Sequence, residues 1–256
     1  GDIAVADTKT LTADNTANGS IYTGNISGDG GLTKTGTDNL TLTGANTYSG
    51  GTQVNAGTLD TTGGGTLANS GTVTIAGSGT YTVGTADTIG VLDNAGTVNV
   101  NESLTANDIT GAGGIVVESG DTLTADNANA SIYSGDISGD GGLTKTGTDN
   151  LTLTGANTYS GGTQVNAGTL DTTGGGTLAN SGTVTIAGSG TYTVGTADTI
   201  GVLDNAGTVN VNESLTANDI TGAGGIVVES GDTLTADNAN ASIYSGDISG
   251  DGGLTK

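Results

Sequence analysis

An internal repeat without a single change constrains this chain more than any other feature of its sequence. Residues 35–145 and 146–256 are the same 111 letters, since 145 − 34 = 111 and 256 − 145 = 111. The lysines that close successive copies, Lys34, Lys145 and Lys256, are therefore equivalent positions. A period of this kind indicates an array of stacked units, in which each unit buries its apolar face against its neighbours.

The supply of core-forming side chains is small and favours a narrow core. Glycine accounts for 50 of the 256 residues, where usage of roughly 7% is normal. Pro, Cys, Met, Trp, Phe, His and Arg are absent, so the apolar residues are Leu, Ile, Val, Ala and seven Tyr. A thick two-layer core is hard to fill with these residues, and a core one or two side chains wide suits them better.

The charge balance argues against two classes of partner. The net charge is −22, from 26 acidic residues against four lysines. Nucleic acids and anionic membrane surfaces are bound through Lys and Arg, so neither is an expected partner. The absence of Cys excludes a disulfide framework. No apolar run approaches the roughly 18–20 residues of a membrane helix, and we expect no membrane insertion in this segment.

Short runs that alternate apolar and hydroxyl residues predict β-strands. Gly, Asn, Asp or Ser bounds each run, which is typical of strands joined by tight turns. The alternation predicts that Leu, Ile and Val point inward and that Thr and Asn point outward. Frequent glycine disfavours helix by about 1 kcal/mol per site. The runs cover residues 40–43, 52–54, 72–75, 80–83, 97–100 and 115–117.

A shorter period inside the unit predicts a β-solenoid. Related Tyr-Ser-Gly segments place Tyr133 and Tyr159 at a spacing of 159 − 133 = 26 residues. A sub-period of about 18–26 residues suits one solenoid turn and is too short for a propeller blade of about 40–45. Identical units should occupy equivalent positions along the axis, so we expect a whole number of turns per unit, about five, with four or six as alternatives. At about 4.8 Å per turn, some 11–12 turns give a rod of about 55 Å.

The chain divides into three parts on this basis. Residues 1–34 are a diverged partial unit, which we expect to serve as a cap because the terminal repeats of stacked folds are atypical. Residues 35–145 and 146–256 are repeat units 1 and 2. Lys256 stands in the middle of a motif, and we expect the array to continue with further repeats.

One stretch of the unit carries a family resemblance. Residues 28–59 read GDGGLTKTGTDNLTLTGANTYSGGTQVNAGTL and recur unchanged at 139–170. The segments GGLTK, LTLTGANTYSGGT and VNAGTL in this order resemble the passenger-associated strand repeat of autotransporter proteins. The resemblance implies a right-handed parallel β-helix, extracellular or on the surface of a Gram-negative bacterium. It also implies a stalk segment that assists passenger secretion and folding and carries no catalytic residues.

Enzyme chemistry finds little support in the residues. Ser-His-Asp and Cys-His catalysis and zinc sites with nitrogen or sulfur ligands are excluded, because His and Cys are absent. A pair of carboxylates, as in glycosidases, remains an alternative. Such enzymes need basic or aromatic subsites, and Arg, Trp and Phe are missing. We therefore predict no enzyme and assign no catalytic, cofactor-binding or metal-ligating residue.

Calcium is the one cofactor that the sequence leaves open. Carboxylates and turn carbonyls are suitable ligands for this cation, but the pattern is neither an EF-hand loop nor a calcium-binding β-roll repeat. Turn formation by Asp is the favoured interpretation, and no cofactor is predicted. The recurring pairs are Asp136 with Asp140, Asp247 with Asp251, and Asn25 with Asp29.

Two further features have simple interpretations. We predict that Lys34, Lys145 and Lys256 lie at the surface near an Asp; a covalent link between Lys and Asn has no support beyond composition. Alternating Thr also suggests an ice-binding face, but the Thr ranks are irregularly spaced. Solvated outer faces are the favoured interpretation.

The sequence thus predicts a non-enzymatic extracellular structural protein: a stalk, an adhesin shaft or a fibre subunit. Because an interface between units resembles one within a unit, we expect self-association end to end or with further repeats. The alternative is a surface adhesin whose outer-face loops bind glycans or proteins of host cells, neighbouring cells or the matrix. A polysaccharide-active enzyme is the least favoured alternative.

Overall fold

The computed structural model describes residues 1–67, 71–178, 182–237 and 240–256. Every regular element within these ranges is a β-strand, which confirms the all-β class. The same ranges therefore contain no helix long and apolar enough to span a membrane. The strands are β1 Ile3–Ala4, β2 Thr10–Asp14, β3 Ser20–Tyr22, β4 Ile26–Ser27, β5 Gly31–Thr35, β6 Leu40–Leu42, β7 Thr52–Asp60, β8 Val73–Val83, β9 Asp87–Asn94, β10 Thr97–Val100, β11 Leu104–Gly111, β12 Gly114–Val117, β13 Thr122–Ala125, β14 Ser131–Tyr133, β15 Ile137–Ser138, β16 Gly142–Lys145, β17 Asn150–Leu153, β18 Thr163–Asp171, β19 Thr183–Val194, β20 Asp198–Asn205, β21 Thr208–Val211, β22 Leu215–Gly222, β23 Gly225–Val228, β24 Thr233–Ala236, β25 Ile248–Ser249 and β26 Gly253–Thr255.

The strands stack in parallel, one turn upon the next, on three sides. On the first side β5 pairs with β2 of the preceding turn and with β7 of the following turn. Within one turn, β13 lies on the third side, β14 on the first and β15 on the second, where they pair with β16, β17 and β12. The fold is therefore a parallel β-solenoid, as the sub-period predicted.

The predicted strand runs are confirmed, and the Leu, Ile and Val side chains of their inward faces are buried. The outward prediction for Thr is wrong at Thr52, which is buried in β7. Each of the six predicted runs lies wholly or largely within β6, β7, β8, β10 or β12, and β8 contains two of them. In β6, Leu40 and Leu42 are buried on either side of the half-buried Thr41. In β8, Val73 is buried while its neighbour Thr74 is half-buried. One continuous core of buried Leu, Ile, Val, Ala and Tyr runs along the axis.

The solenoid has about 13 turns, more than the 11–12 expected. Five turns per 111-residue unit imply about 22 residues per turn, and the turns of the solenoid reach this length only where the corners are long. Thr80 pairs with Thr97, a turn of 97 − 80 = 17 residues, whereas Ile115 pairs with Ile137, a turn of 137 − 115 = 22 residues. Thirteen turns at about 4.8 Å give a rod of about 62 Å.

The expectation of a whole number of turns per repeat is wrong. The stack of Leu32 continues through Thr52, Val73, Leu92 and Ile109. The next turn brings Tyr133 onto Gly111, and therefore Ser131 onto the stack of Ile109. Ser131 then pairs with Leu151. Ser131 and Leu151 thus lie five and six turns above Leu32, and neither is its sequence equivalent.

The true equivalent of Leu32 is Leu143, which lies on another side. Leu143 pairs with Leu123 below and Thr163 above. From Ser131 the chain passes Ile137 on the second side and reaches Leu143 on the third. One repeat therefore spans five turns and two of three sides. Parallel pairing only requires an alternating strand on the turn below, so equivalent strands need not stack on the same side.

An acidic substitution tests the inward assignment of Val73. We expect Val73→Asp to destabilise the surrounding turns by about 3 kcal/mol or more, because it buries a charge without a partner. Thr74→Asp adds the same charge at the adjacent outward position and should change stability by less than about 1 kcal/mol. Urea unfolding followed by circular dichroism measures both, and equal midpoints for the two variants would show that the assignment is wrong.

Candidate functional site

The acidic pairs singled out in the sequence tie one turn to the next. Asp136 Oδ1 accepts a hydrogen bond of 2.8 Å from the backbone N–H of Ala156. Asp140 Oδ1 accepts one of 3.0 Å from the hydroxyl of Ser160. Each bond spans 20 residues, which is one turn, so these carboxylates act as links between corners.

The diverged first unit repeats this arrangement. Asn25 Oδ1 accepts a bond of 2.9 Å from the N–H of Ala45, and Asp29 Oδ1 accepts one of 3.3 Å from the hydroxyl of Ser49. Asp247 and Asp251 flank β25 at the corresponding positions of the last turn. Among the described residues, no group of three or more Asp and Glu is close enough to hold a metal ion. The calcium hypothesis therefore gains no ligand cluster there.

The prediction of surface lysines is wrong for the two internal copies. The side chains of Lys34 and Lys145 are 0% exposed. Lys34 stacks between Ala13 below and Val54 above, inside the core. The reason is strand alternation, because Leu32 and Lys34 share the inward face of β5. Lys256, the third copy, is exposed.

Backbone carbonyl groups enclose the buried ammonium. Lys34 Nζ donates to the carbonyl oxygens of Thr35 at 2.5 Å, Gly36 at 2.8 Å and Ala56 at 3.1 Å. An ammonium has three N–H donors, and these three bonds satisfy all of them. The two carbonyls that follow Lys34 belong to its own turn, and Ala56 belongs to the next. The lysine thus clamps two successive turns from inside.

The second copy repeats the clamp. Lys145 Nζ donates to the carbonyl of Gly147 and, at 3.4 Å, to that of Ala167 in the next turn. Gly168 follows with φ +66°, and a Cβ there would come within 2.9 Å of Lys145 Nζ and 2.5 Å of the Gly147 oxygen. Glycine at this position lets the upper turn close over the ammonium. Lys145, Gly147 and the Ala167-Gly168 pair of the repeat all meet in this contact.

Burial and nearby carboxylates act on the lysine in opposite directions. Burial lowers the pKa of Lys34 below its usual value, while Asp14 and Asp38 oppose that decrease. The pKa of Lys145 is likewise lowered by burial, against Asp126, Asp149 and Asp108. Each clamp therefore places one cation inside an acidic rod and surrounds it with carbonyl dipoles.

A buried aspartate forms a second polar cluster that sequence reasoning missed. Asp87 Oδ2 accepts hydrogen bonds from Leu67 N at 2.5 Å and from the Tyr81 hydroxyl at 3.3 Å. Its Oδ1 accepts one from Thr88 N at 2.8 Å. Asp198 repeats the cluster in the second copy. The signal was alternation again, since Asp87 precedes the inward Ile89 by two residues.

Together these clusters hold adjacent turns in place, and hydrogen bonds occupy their ionisable groups. The ammonium of Lys34 is enclosed and fully bonded, so it is not available as a nucleophile or a proton donor. The buried carboxylate of Asp108 accepts bonds from both the N–H and the side-chain amide of Asn129, at 3.1 and 3.0 Å. The arrangement favours a structural role for these ionisable groups.

Trypsin reports directly on the lysine clamps, because it cleaves after Lys and Arg. We expect the folded chain to be cut after the exposed Lys9 and to be protected after Lys34 and Lys145. Besides the short fragments 1–9 and 10–34, the heat-unfolded chain should release residues 35–145 and 146–256 as a 111-residue fragment of one shared mass, since the two segments are identical. Mass spectrometry measures both digests. Release of that fragment from the folded chain at the same rate would contradict the burial of the lysines.

The buried tyrosines predict a loss of stability at alkaline pH. Burial raises the pKa of Tyr133 to about 12, and burial followed by the charge of Asp87 raises that of Tyr81 well above 10. A raised pKa in the folded state contributes stability below pH 10 that is lost as pH rises towards 12. The lowered lysine pKa values act with the opposite sign, but only two buried lysines oppose five buried tyrosines.

Thermal unfolding at pH 8, 10 and 11.5 measures this effect. We expect the melting temperature to fall by several degrees above pH 10, since each unit of pKa shift corresponds to about 1.4 kcal/mol per tyrosine. Tyr133→Phe is the matched control and should reduce the dependence on pH. A melting temperature that is flat between pH 8 and 11.5 would contradict the assignment.

Comparison with known proteins finds a family match in the two segments that contain the lysine clamps. Residues 32–60 and 143–171 each match the family model described as the passenger-associated-transport-repeat. Searches of curated proteins and of solved structures found no match. Lys34 and Ala56 lie inside the first match, and Lys145 and Ala167 lie inside the second. The chain therefore contains two passenger-associated-transport repeats set into a parallel β-solenoid, which confirms the resemblance to autotransporter passengers.

Proposed function

We propose that this chain is a stretch of an autotransporter passenger that acts as a non-enzymatic stalk outside a Gram-negative cell. The repeat family implies a secreted or cell-surface protein, and right-handed winding of the solenoid belongs to the same proposal. The observation that carries this proposal is the inward orientation of the lysines in the repeat. Lys34 and Lys145 point into the core and clamp adjacent turns, so the repeat serves cohesion.

The stalk works by extension, because each stacked turn adds about 4.8 Å to the rod. Both end turns of the described solenoid leave the core open. A cavity of about 290 Å³ at one end is lined by residues such as Leu11 and Tyr22. A cavity of about 240 Å³ at the other is lined by Tyr244 and Leu254 among others. We propose that another solenoid turn covers each opening, either from further repeats of the same chain or from a second copy stacked end to end.

A second candidate function is adhesion through the outer surface. Ile132 in β14 points outward and is 61% exposed, in a surface that otherwise carries mostly Thr, Asn and Asp. Its equivalents Ile21 and Ile243 are also exposed. An apolar side chain that recurs once per repeat is a feature that a binding partner could use.

Arrays of different length test the stalk. We expect chains with one, two and four copies of residues 35–145 to form rods that lengthen by about 27 Å per copy in negative-stain electron microscopy. Displayed on a Gram-negative host as a passenger, each should keep a distal tag accessible to antibody. Rods whose length does not follow copy number would contradict the stalk.

The matched surface variant is Ile132→Ser, made in every copy. We expect unchanged rod length and unchanged tag display, because the side chain is exposed and adds little to stability. Loss of host-cell attachment with intact rods would favour adhesion over the stalk. Equal attachment by parent and variant would count against the isoleucine as a binding residue.

A further inference from the structure

We infer that an array of these units presents each surface motif towards three directions in turn, so that the rod has no privileged face. The inference follows from the strand register and would stand even if the chain had another role. Asp93 and Asp204 are equivalents, since 204 − 93 = 111. Asp93 lies over Thr74 on the first side, whereas Asp204 lies over Thr185 on the third.

A second equivalent pair shows the same shift. Asp60 pairs with Thr41 on the second side. Its equivalent Asp171 pairs with Thr152 on the first side, because the stack of Thr152 contains Ile132 and, through the register of Gly111 with Tyr133, Thr110. Moving along the chain by one unit therefore changes the side in the same sense for both pairs.

The change of side from one unit to the next repeats after three units. One unit spans five turns and two of three sides, so three units span 17 whole turns and restore the original direction. At about 4.8 Å per turn, neighbouring equivalents are about 27 Å apart along the axis and face different sides. Equivalents on the same side are about 82 Å apart.

This geometry defines the kind of partner that the surface fits. A compact partner that contacts one unit can bind every unit, because the neighbouring sites face away from each other. A long partner lying along one side would meet a given motif only once in three units. Carboxylates such as Asp93, Asp60 and Asp204 occupy all three sides, so the array attracts a compact cationic partner from any direction.

Paired spin labels test the shift, and the absence of Cys makes labelling specific. Thr33→Cys with Thr152→Cys places both labels on one side, six turns and about 29 Å apart. Thr41→Cys with Thr152→Cys labels equivalent positions, 111 residues apart, on different sides. All three threonines point outward and are half-buried, and circular dichroism checks that each variant is folded.

Electron–electron distance measurements then distinguish a unit that spans five turns and two of three sides from a unit that spans five whole turns. We expect the pair separated by 152 − 33 = 119 residues to be closer than the pair separated by 152 − 41 = 111 residues. A shorter distance for the 111-residue pair, near the roughly 24 Å of five whole turns, would overturn the inference.

Antibody fragments test the consequence for partners. A fragment raised against residues 35–145 has two identical epitopes on this chain. We expect two fragments per rod, projecting in different directions, in electron micrographs. Two fragments projecting from the same side, or one fragment that blocks the second, would contradict the inferred presentation.

Discussion

Parallel hydrogen bonding between successive turns is the interaction on which the rest of this structure depends. Each strand receives its partners from the turn below and offers its own groups to the turn above, so the register of one turn fixes the inward face of the next. Once β2 sets Ala13 inward, Lys34 and Val54 must follow on the same stack. A residue in an inward position is therefore buried whatever its chemistry, and any polar group that it carries must find hydrogen-bond partners there.

The polar core follows from that constraint together with a sequence poor in bulky apolar residues. Long side chains with a polar tip fill the space: the tyrosines reach hydroxyl, carboxylate or carbonyl partners, and the lysines reach carbonyls. Tyr48, for example, is bonded to Thr52 at 2.6 Å while fully buried. Asn46 bridges three turns, since it accepts from Ile26 N at 3.0 Å and donates to Thr66 O at 2.9 Å. These groups resist displacement because an unpaired partner in the core is costly.

Strand alternation in the sequence was sufficient to predict the all-β class, the six strand-forming runs and the inward position of Val73, and the sub-period within the unit predicted the solenoid. The same alternation in Leu32, Thr33 and Lys34 indicated a buried lysine, but the usual preference of charged side chains for water led to the opposite prediction. The carbonyl enclosure depends on a corner, formed by Thr35, Gly36 and Ala56, whose shape is not encoded in any period. The prediction of a whole number of turns per repeat was wrong for a related reason. Corner lengths vary between turns, and strands of identical sequence can stack on different strands of the turn below.

The register of Gly111 with Tyr133 is the most direct test of this account, because it sets which side the second repeat occupies. The measurement is disulfide formation between introduced cysteines on adjacent turns. Thr110→Cys with Ile132→Cys should oxidise readily, since parallel neighbours about 4.8 Å apart lie within the range that a disulfide can bridge. Thr110→Cys with Ser134→Cys, two residues out of register, should remain reduced. Preferential cross-linking of the second pair would contradict the register and the arrangement of repeats derived from it.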